Sequence, residues 1–122
     1  MTVTGPDFIA LQVRDLDAAA AFYETSLGLN RAPVAPPGAV VFATGTIPFA
    51  VREPLPGVDL AQASPRPGFG VALWLKCESA PELHVRLRAA GTPIVADPAP
   101  GPFGVAFTFL DPDGYAITVH DG

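Results

Sequence analysis

The sequence predicts an α+β fold built from two similar halves. Three observations carry that expectation: short apolar runs of strand length, one helical pattern near the start of each half, and a Pro-rich stretch between them. In the first half, Phe8-Ile9-Ala10-Leu11-Gln12-Val13 has the length of one strand. Asp15 or Asp17 can cap the next segment, where Ala18, Ala21, Phe22 and Thr25 recur at helical spacing, and Gly28 supplies a stop. Residues 39–43 and 49–53 read as two more strands, with room for a short third one near residues 32–35. Residues 54–67 contain Pro54, Pro56, Pro65 and Pro67. Proline cannot serve a central strand, so this stretch reads as an ordered linker.

The second half repeats the order. Residues 70–75 form a strand, Ser79 and Pro81 open a helix in which Leu83, Leu87 and Ala90 share one face, and Gly91 ends it. Residues 93–96 read as a short strand and 97–104 as a Pro/Gly loop. Residues 105–110 and 115–120 are strands joined by Asp111-Pro112-Asp113-Gly114, which has the chemistry of a tight turn. Aligning Leu11 with Leu73 gives a repeat offset of 62 residues. A half-domain that cannot bury its sheet alone has a physical reason to occur twice.

Composition bounds the function. A chain of 122 residues fits one domain, with modules at about 6–53 and 68–121 around the 54–67 linker. It is 49% hydrophobic and 16% charged, which excludes a disordered acidic segment. No apolar run approaches the ~18 residues that span a bilayer. Residues 1–7 lack a basic stretch followed by an apolar block, so a secretory leader is not expected and a cytoplasmic location is. Seven Lys+Arg against twelve Asp+Glu, a formal charge of −5, leave little to neutralise a phosphate backbone, which argues against nucleic acid. Cys77 is the single cysteine, so neither an internal disulfide nor a Cys-based zinc site can form.

Three motifs carry a resemblance: Leu11-x-Val13-x-Asp15-Leu16, then Phe22-Tyr23 with Leu27-Gly28-Leu29, and Phe109-x-Asp111-Pro112-Asp113-Gly114 before a terminal strand. Together they resemble the vicinal oxygen chelate superfamily of glyoxalases, bleomycin-resistance proteins and extradiol dioxygenases. The resemblance spans nearly the whole chain and implies two βαβββ modules whose sheets curl around a cleft, commonly in a homodimer. It also implies a divalent metal held by His, Glu or Gln at four cleft positions. Carried over one by one, those positions fall on Phe8, Ala50, Gly70 and Thr118. Phe, Ala and Gly have no lone pair to give, and a hard or borderline cation needs several N or O donors. No metal or other cofactor is therefore expected.

Strand alternation assigns the rest. Ile9, Leu11 and Val13 face the helices, leaving Phe8, Ala10 and Gln12 toward the cleft; Val71, Leu73 and Leu75 likewise oppose Gly70, Ala72 and Trp74. Ala50, Arg52, Thr118 and His120 join the cleft side, with Phe42 and Phe103 at its ends. The expected ligand-binding set is thus Phe8, Gln12, Phe42, Ala50, Arg52, Gly70, Trp74, Phe103, Thr118 and His120, with no catalytic residue. Aromatic plates, small residues and few polar groups suit a flat organic molecule. His84, on a helix with Arg86 and Arg88, reads as surface, and nothing marks Cys77 as an activated thiol.

The leading expectation is a metal-free binding protein, similar to the superfamily members that sequester bleomycin, mitomycin or related aromatic antibiotics. The alternative is a metal-dependent lyase, isomerase or oxygenase of glyoxalase or dioxygenase type, in which Gln12, Thr118 and His120 would have to rebuild the metal site. A ligand-free interaction domain is a third.

Overall fold

A computed structural model describes residues 1–122. The chain forms two compact units, residues 1–60 and 61–122, and the boundary falls inside the Pro-rich stretch.

The first unit has a three-stranded mixed sheet in the order β1-β3-β2. Strand β1 (Ile9–Gln12) runs parallel to β3 (Phe49–Arg52), and β2 (Ala39–Phe42) runs antiparallel to β3. Between β1 and β2 lies α1 (Leu16–Ala21), which widens into a π-helical turn over Phe22–Ser26. Asp15 is the cap: its carboxylate accepts the Ala18 N–H at 3.1 Å and satisfies one of the orphan donors of the first turn. Gly28, at φ 77°, ends the helix, and Leu29 N–H reaches back to the Tyr23 carbonyl. The third strand expected near residues 32–35 shrinks to a single bridge, Arg31 with Phe42. Val13, Ala19, Ala20, Tyr23, Phe42, Phe49 and Val51 form the core under α1.

The second unit has a four-stranded sheet in the order β4-β7-β6-β5. Strand β4 (Leu73–Lys76) is parallel to β7 (Ala116–His120), while β6 (Gly104–Leu110) is antiparallel to both β7 and β5 (Ile94–Gly101). Helix α2 (Ala80–Ala89) is capped by Ser79, whose hydroxyl accepts the Glu82 N–H. Its exit is a Schellman turn: Thr92 N–H bonds the Leu87 carbonyl and Gly91 N–H the Arg88 carbonyl, with Gly91 at φ 83°. Leu83, Leu87, Phe107, Phe109, Ile117 and Val119 are buried between helix and sheet. At the β6–β7 turn, one Asp111 carboxylate oxygen accepts from Asp113 N and Tyr115 N, and Gly114 takes φ 93°.

Hydrogen-bond register corrects the repeat. Val13 N–H donates to the Arg52 carbonyl as Cys77 N–H does to His120, and the caps Asp15 and Ser79 follow each by two residues. The structural offset is therefore 64 rather than 62 residues. Both values are even, and a period of two cannot tell them apart by face.

Three further expectations change. Strand β4 starts at Leu73, so Gly70 and Val71 precede it, and Gly70 lies in a turn at φ 99°. The supposed Pro/Gly loop at 97–104 is mostly strand: β5 runs on to Gly101 with two register shifts, between Ile94 and Ala96 and between Ala96 and Ala99. It is an edge strand, where Pro98 and Pro100 are tolerated. His84 is not a surface residue either, since its side chain is only 15% exposed and its ring meets Phe107 edge-on at 5.2 Å.

Candidate functional site

The open face of the second sheet is built from two cross-strand rows. Trp74, Thr118, Thr108 and Ala96 pair side by side across β4, β7, β6 and β5, and Lys76, His120, Ala106 and Ala99 make the next row. Paired residues share a face, and their odd-numbered β6 and β7 neighbours Phe107, Phe109, Ile117 and Val119 are buried. A large ring at one end of a row of Thr and Ala leaves a depression. The result is a groove of about 360 Å³, walled by Trp74 and Phe103 and lined mainly by apolar atoms.

Trp74 is 48% exposed and Phe103 57%. Their rings stand edge to face at 5.9 Å, and the His120 imidazole lies 5.9 Å from Trp74 and 6.0 Å from Phe103, closing a triangle. His120 Nδ1 is buried without a hydrogen-bond partner. On the groove floor the Thr108 and Thr118 hydroxyls bond each other at 2.7 Å. One proton serves that bond, which leaves the other hydroxyl proton to offer a ligand.

Phe103 is held at the hairpin tip by the last residues. Its carbonyl accepts Gly122 N–H at 2.9 Å. Gly104, at φ 81°, could carry a side chain only by displacing the last residues, because a Cβ would come within 2.5 Å of Gly122 N. Asp121 clasps the arrangement: one carboxylate oxygen accepts Val105 N–H and the other Ala80 N–H, each at 2.9 Å. Those backbone donors, with Ala80 in the first turn of α2, hold the Asp121 carboxyl below its usual range. Burial, followed by the Asp121 charge, pushes the Cys77 thiol up, so Cys77 lacks thiolate character.

Of the ten expected ligand residues, the second unit brings Trp74, Phe103, Thr118 and His120 to this one face. Gly70 is outside it, in the turn before β4. In the first unit, Ala10, Ala50 and Val41 make a row and Gln12, Arg52 and Ala39 the next, on the face away from α1. Gln12 there accepts the Leu55 N–H at 2.8 Å, Arg52 Nε donates to the Glu53 carbonyl, Ala50 is buried, and Phe8 is exposed just before β1. Phe42 is a correction. It pairs with Phe49, so it points to the helix side, fully buried against Tyr23 and Phe49. Thr108 and Ala96 were missed, although alternation against Phe107 and Phe109 was enough to find Thr108.

The pattern of the Glyoxalase/Bleomycin resistance protein/Dioxygenase superfamily matches residues 5–119. The chain belongs to this superfamily. Solved structures with the same fold include a lactoylglutathione lyase from Agrobacterium tumefaciens, 25% identical over 100% of this chain and 96% of that one, with a TM-score of 0.67. An antibiotic-binding protein from Streptomyces sp. CB03234 is 20% identical, with coverage of 99% and 98% and a TM-score of 0.74. A fosfomycin resistance protein from Mesorhizobium loti is 22% identical, with coverage of 99% and 94% and a TM-score of 0.70. Comparison with curated proteins finds no match. No helix is long and apolar enough to cross a membrane.

The metal that the superfamily implies does not fit these residues. By the corrected register the counterpart of Phe8 is Ala72, not Gly70, and it is no better a ligand. Thr118 is a weak neutral donor already hydrogen-bonded to Thr108, and no three His, Cys, Asp or Glu side chains are grouped to hold an ion.

Proposed function

We propose that this superfamily member is a metal-free binding protein that sequesters a planar, largely apolar compound such as an aromatic antibiotic, acting in the cytoplasm as a homodimer. The observation that carries the reading is the half-exposed Trp74–Phe103 pair beside a groove floored by Thr108 and Thr118. Water gains little from two such rings, whereas a flat ligand gains apolar burial and ring contact on each. The hydroxyl pair supplies orientation without chemistry. Similarity in fold to an antibiotic-binding protein supports the reading further.

Trp74 is the single tryptophan, so fluorescence excited selectively in tryptophan reports on the groove alone. Titration with mitomycin C, bleomycin and acridine is expected to quench it saturably for at least one compound at micromolar concentration. Trp74→Ala should weaken that compound at least tenfold by calorimetry, about 1.4 kcal/mol. A folded protein that binds none of them by either method overturns the proposal. Sedimentation should give twice the 12.6 kDa chain mass.

A further inference from the structure

The proposed binding role leaves the polar chemistry of the ligand open, and the groove's own side chains bear on it. Four of those lining it carry a polar atom: Trp74, Asp97, Thr108 and Thr118. The Asp97 carboxylate turns to the helix side, 4.0 Å from His84 Nε2 of α2. What remains on the open face is the threonine hydroxyl pair and the Trp74 indole N–H, which is a donor only.

Counting protons decides what this set lacks. Two hydroxyls carry two protons, and the Thr108–Thr118 bond uses one of them. Their neighbours in the row are Trp74 on one side and Ala96 on the other, and neither side chain has an acceptor to give. The second proton therefore finds water while the groove is open and loses it beneath a ligand. A hydrocarbon laid over the pair strands that donor, which is costly. A ring whose polar group is N–H fares no better: the hydroxyl accepts its bond and still holds a proton without a partner. A ligand acceptor completes the set.

The sheet fixes where that acceptor falls. Side chains stand roughly perpendicular to a sheet, so Trp74 is a wall and the hydroxyls are a floor. Thr118 lies one strand spacing from Trp74, about 4.8 Å. A ring lying flat along the wall sits about 3.5–4.0 Å from it, so its lower edge meets the floor at the hydroxyl pair. A ring nitrogen or ring carbonyl accepts in the plane of the ring, and from that edge it points at the floor.

We infer that the groove selects planar rings with an in-plane hydrogen-bond acceptor, seated on the Thr108–Thr118 hydroxyl pair, over hydrocarbons and donor-only rings. This inference rests on the proposed binding role of the same groove and narrows it to one class of ligand. One neutral hydrogen bond sets the scale, so the preference is about fivefold.

The test uses three probes of one tricyclic shape on the full chain: 9-fluorenone, with a carbonyl at its central edge, carbazole, with an N–H there, and fluorene, with a methylene. Equilibrium dialysis at low micromolar probe should show fluorenone bound about fivefold tighter than either of the others. That order runs against apolar burial, which favours fluorene, so hydrophobicity cannot mimic it. Thr108→Val with Thr118→Val removes both hydroxyls and keeps both shapes; it should abolish fluorenone's advantage and bring fluorene at least level. Fluorenone bound no tighter than fluorene and carbazole overturns the acceptor selection while leaving groove binding intact, and the parent protein decides this without any variant. An advantage that survives in the folded double variant overturns the role of the hydroxyl pair. Failure of all three probes to bind overturns this inference and the binding role together.

Discussion

In the first unit Tyr23, Phe42 and Phe49 lie beneath α1, nearly sealed from water, while in the second unit Trp74 and Phe103 stand half-exposed on the face away from α2. The two sheets are laid out alike: a parallel pair, a capped helix, then antiparallel partners. What differs is register. Phe42 aligns with Phe49 on the helix side, whereas Trp74 aligns with Thr118 on the open side. One-residue parity thus decides whether a ring is sealed in the core or left standing on the open face. The row in the first unit that corresponds to Trp74-Thr118-Thr108 is Ala10-Ala50-Val41, which offers no ring at all.

The comparison breaks most sharply by truncating one ring from each unit. Phe42→Ala should cost about 3–5 kcal/mol, as a large cavity in a packed core does. Chemical denaturation would read it as a lower midpoint. Trp74→Ala should cost under about 1 kcal/mol by the same measurement, since a half-exposed ring leaves no cavity, while abolishing most ring binding. Equal destabilisation by the two would show that Trp74 is core after all.

Gly104→Ala comes next. Forcing a side chain at positive φ against Gly122 should cost about 1–2 kcal/mol, and thermal melting would show it. Because the hairpin tip carries Phe103, ring affinity should fall as well. A variant as stable and as tight as the parent would dissociate the tip from the clasp.

A smaller effect follows from Asp121. Its carboxyl titrates lower in the folded protein than in the unfolded chain, because Ala80 and Val105 N–H groups favour the ionised form. That stabilisation is fully present above the ordinary Asp value of about 3.9 and is lost as pH falls through the lower folded value. Stability measured from pH 7 into acid should therefore decline more steeply in the parent than in Asp121→Asn. Identical acid limbs would remove Asp121 from the clasp. The smallest expected effect is on Cys77, whose raised pKa should make it alkylate more slowly than free cysteine at mildly alkaline pH.

Local chemistry was legible wherever one residue type has one job. Asp15 and Ser79 cap, Gly28 and Gly91 stop their helices, and Asp111 folds its turn, each as its side chain or missing side chain requires. Facing was legible where apolar and polar residues alternate, as in β7, and illegible where they do not. Val40, Val41 and Phe42 in β2 are all apolar, so nothing in the letters tells which side Phe42 takes; its pairing with Phe49 does. The prolines of β5 concealed a strand, because an edge position excuses them and edges are a property of the sheet. His84 was hidden by its arginine neighbours, as its burial depends on Phe107, 23 residues further on.

Amide chemical-shift mapping on isotope-labelled protein, titrated with acridine, tests the location of binding most directly. The expected shifts cluster at Trp74, Ala96, Phe103, Thr108 and Thr118, with Tyr23, Phe42 and Phe49 unmoved. Shifts confined to the first unit, or spread evenly over both, would contradict a recognition surface on the open face of the second sheet.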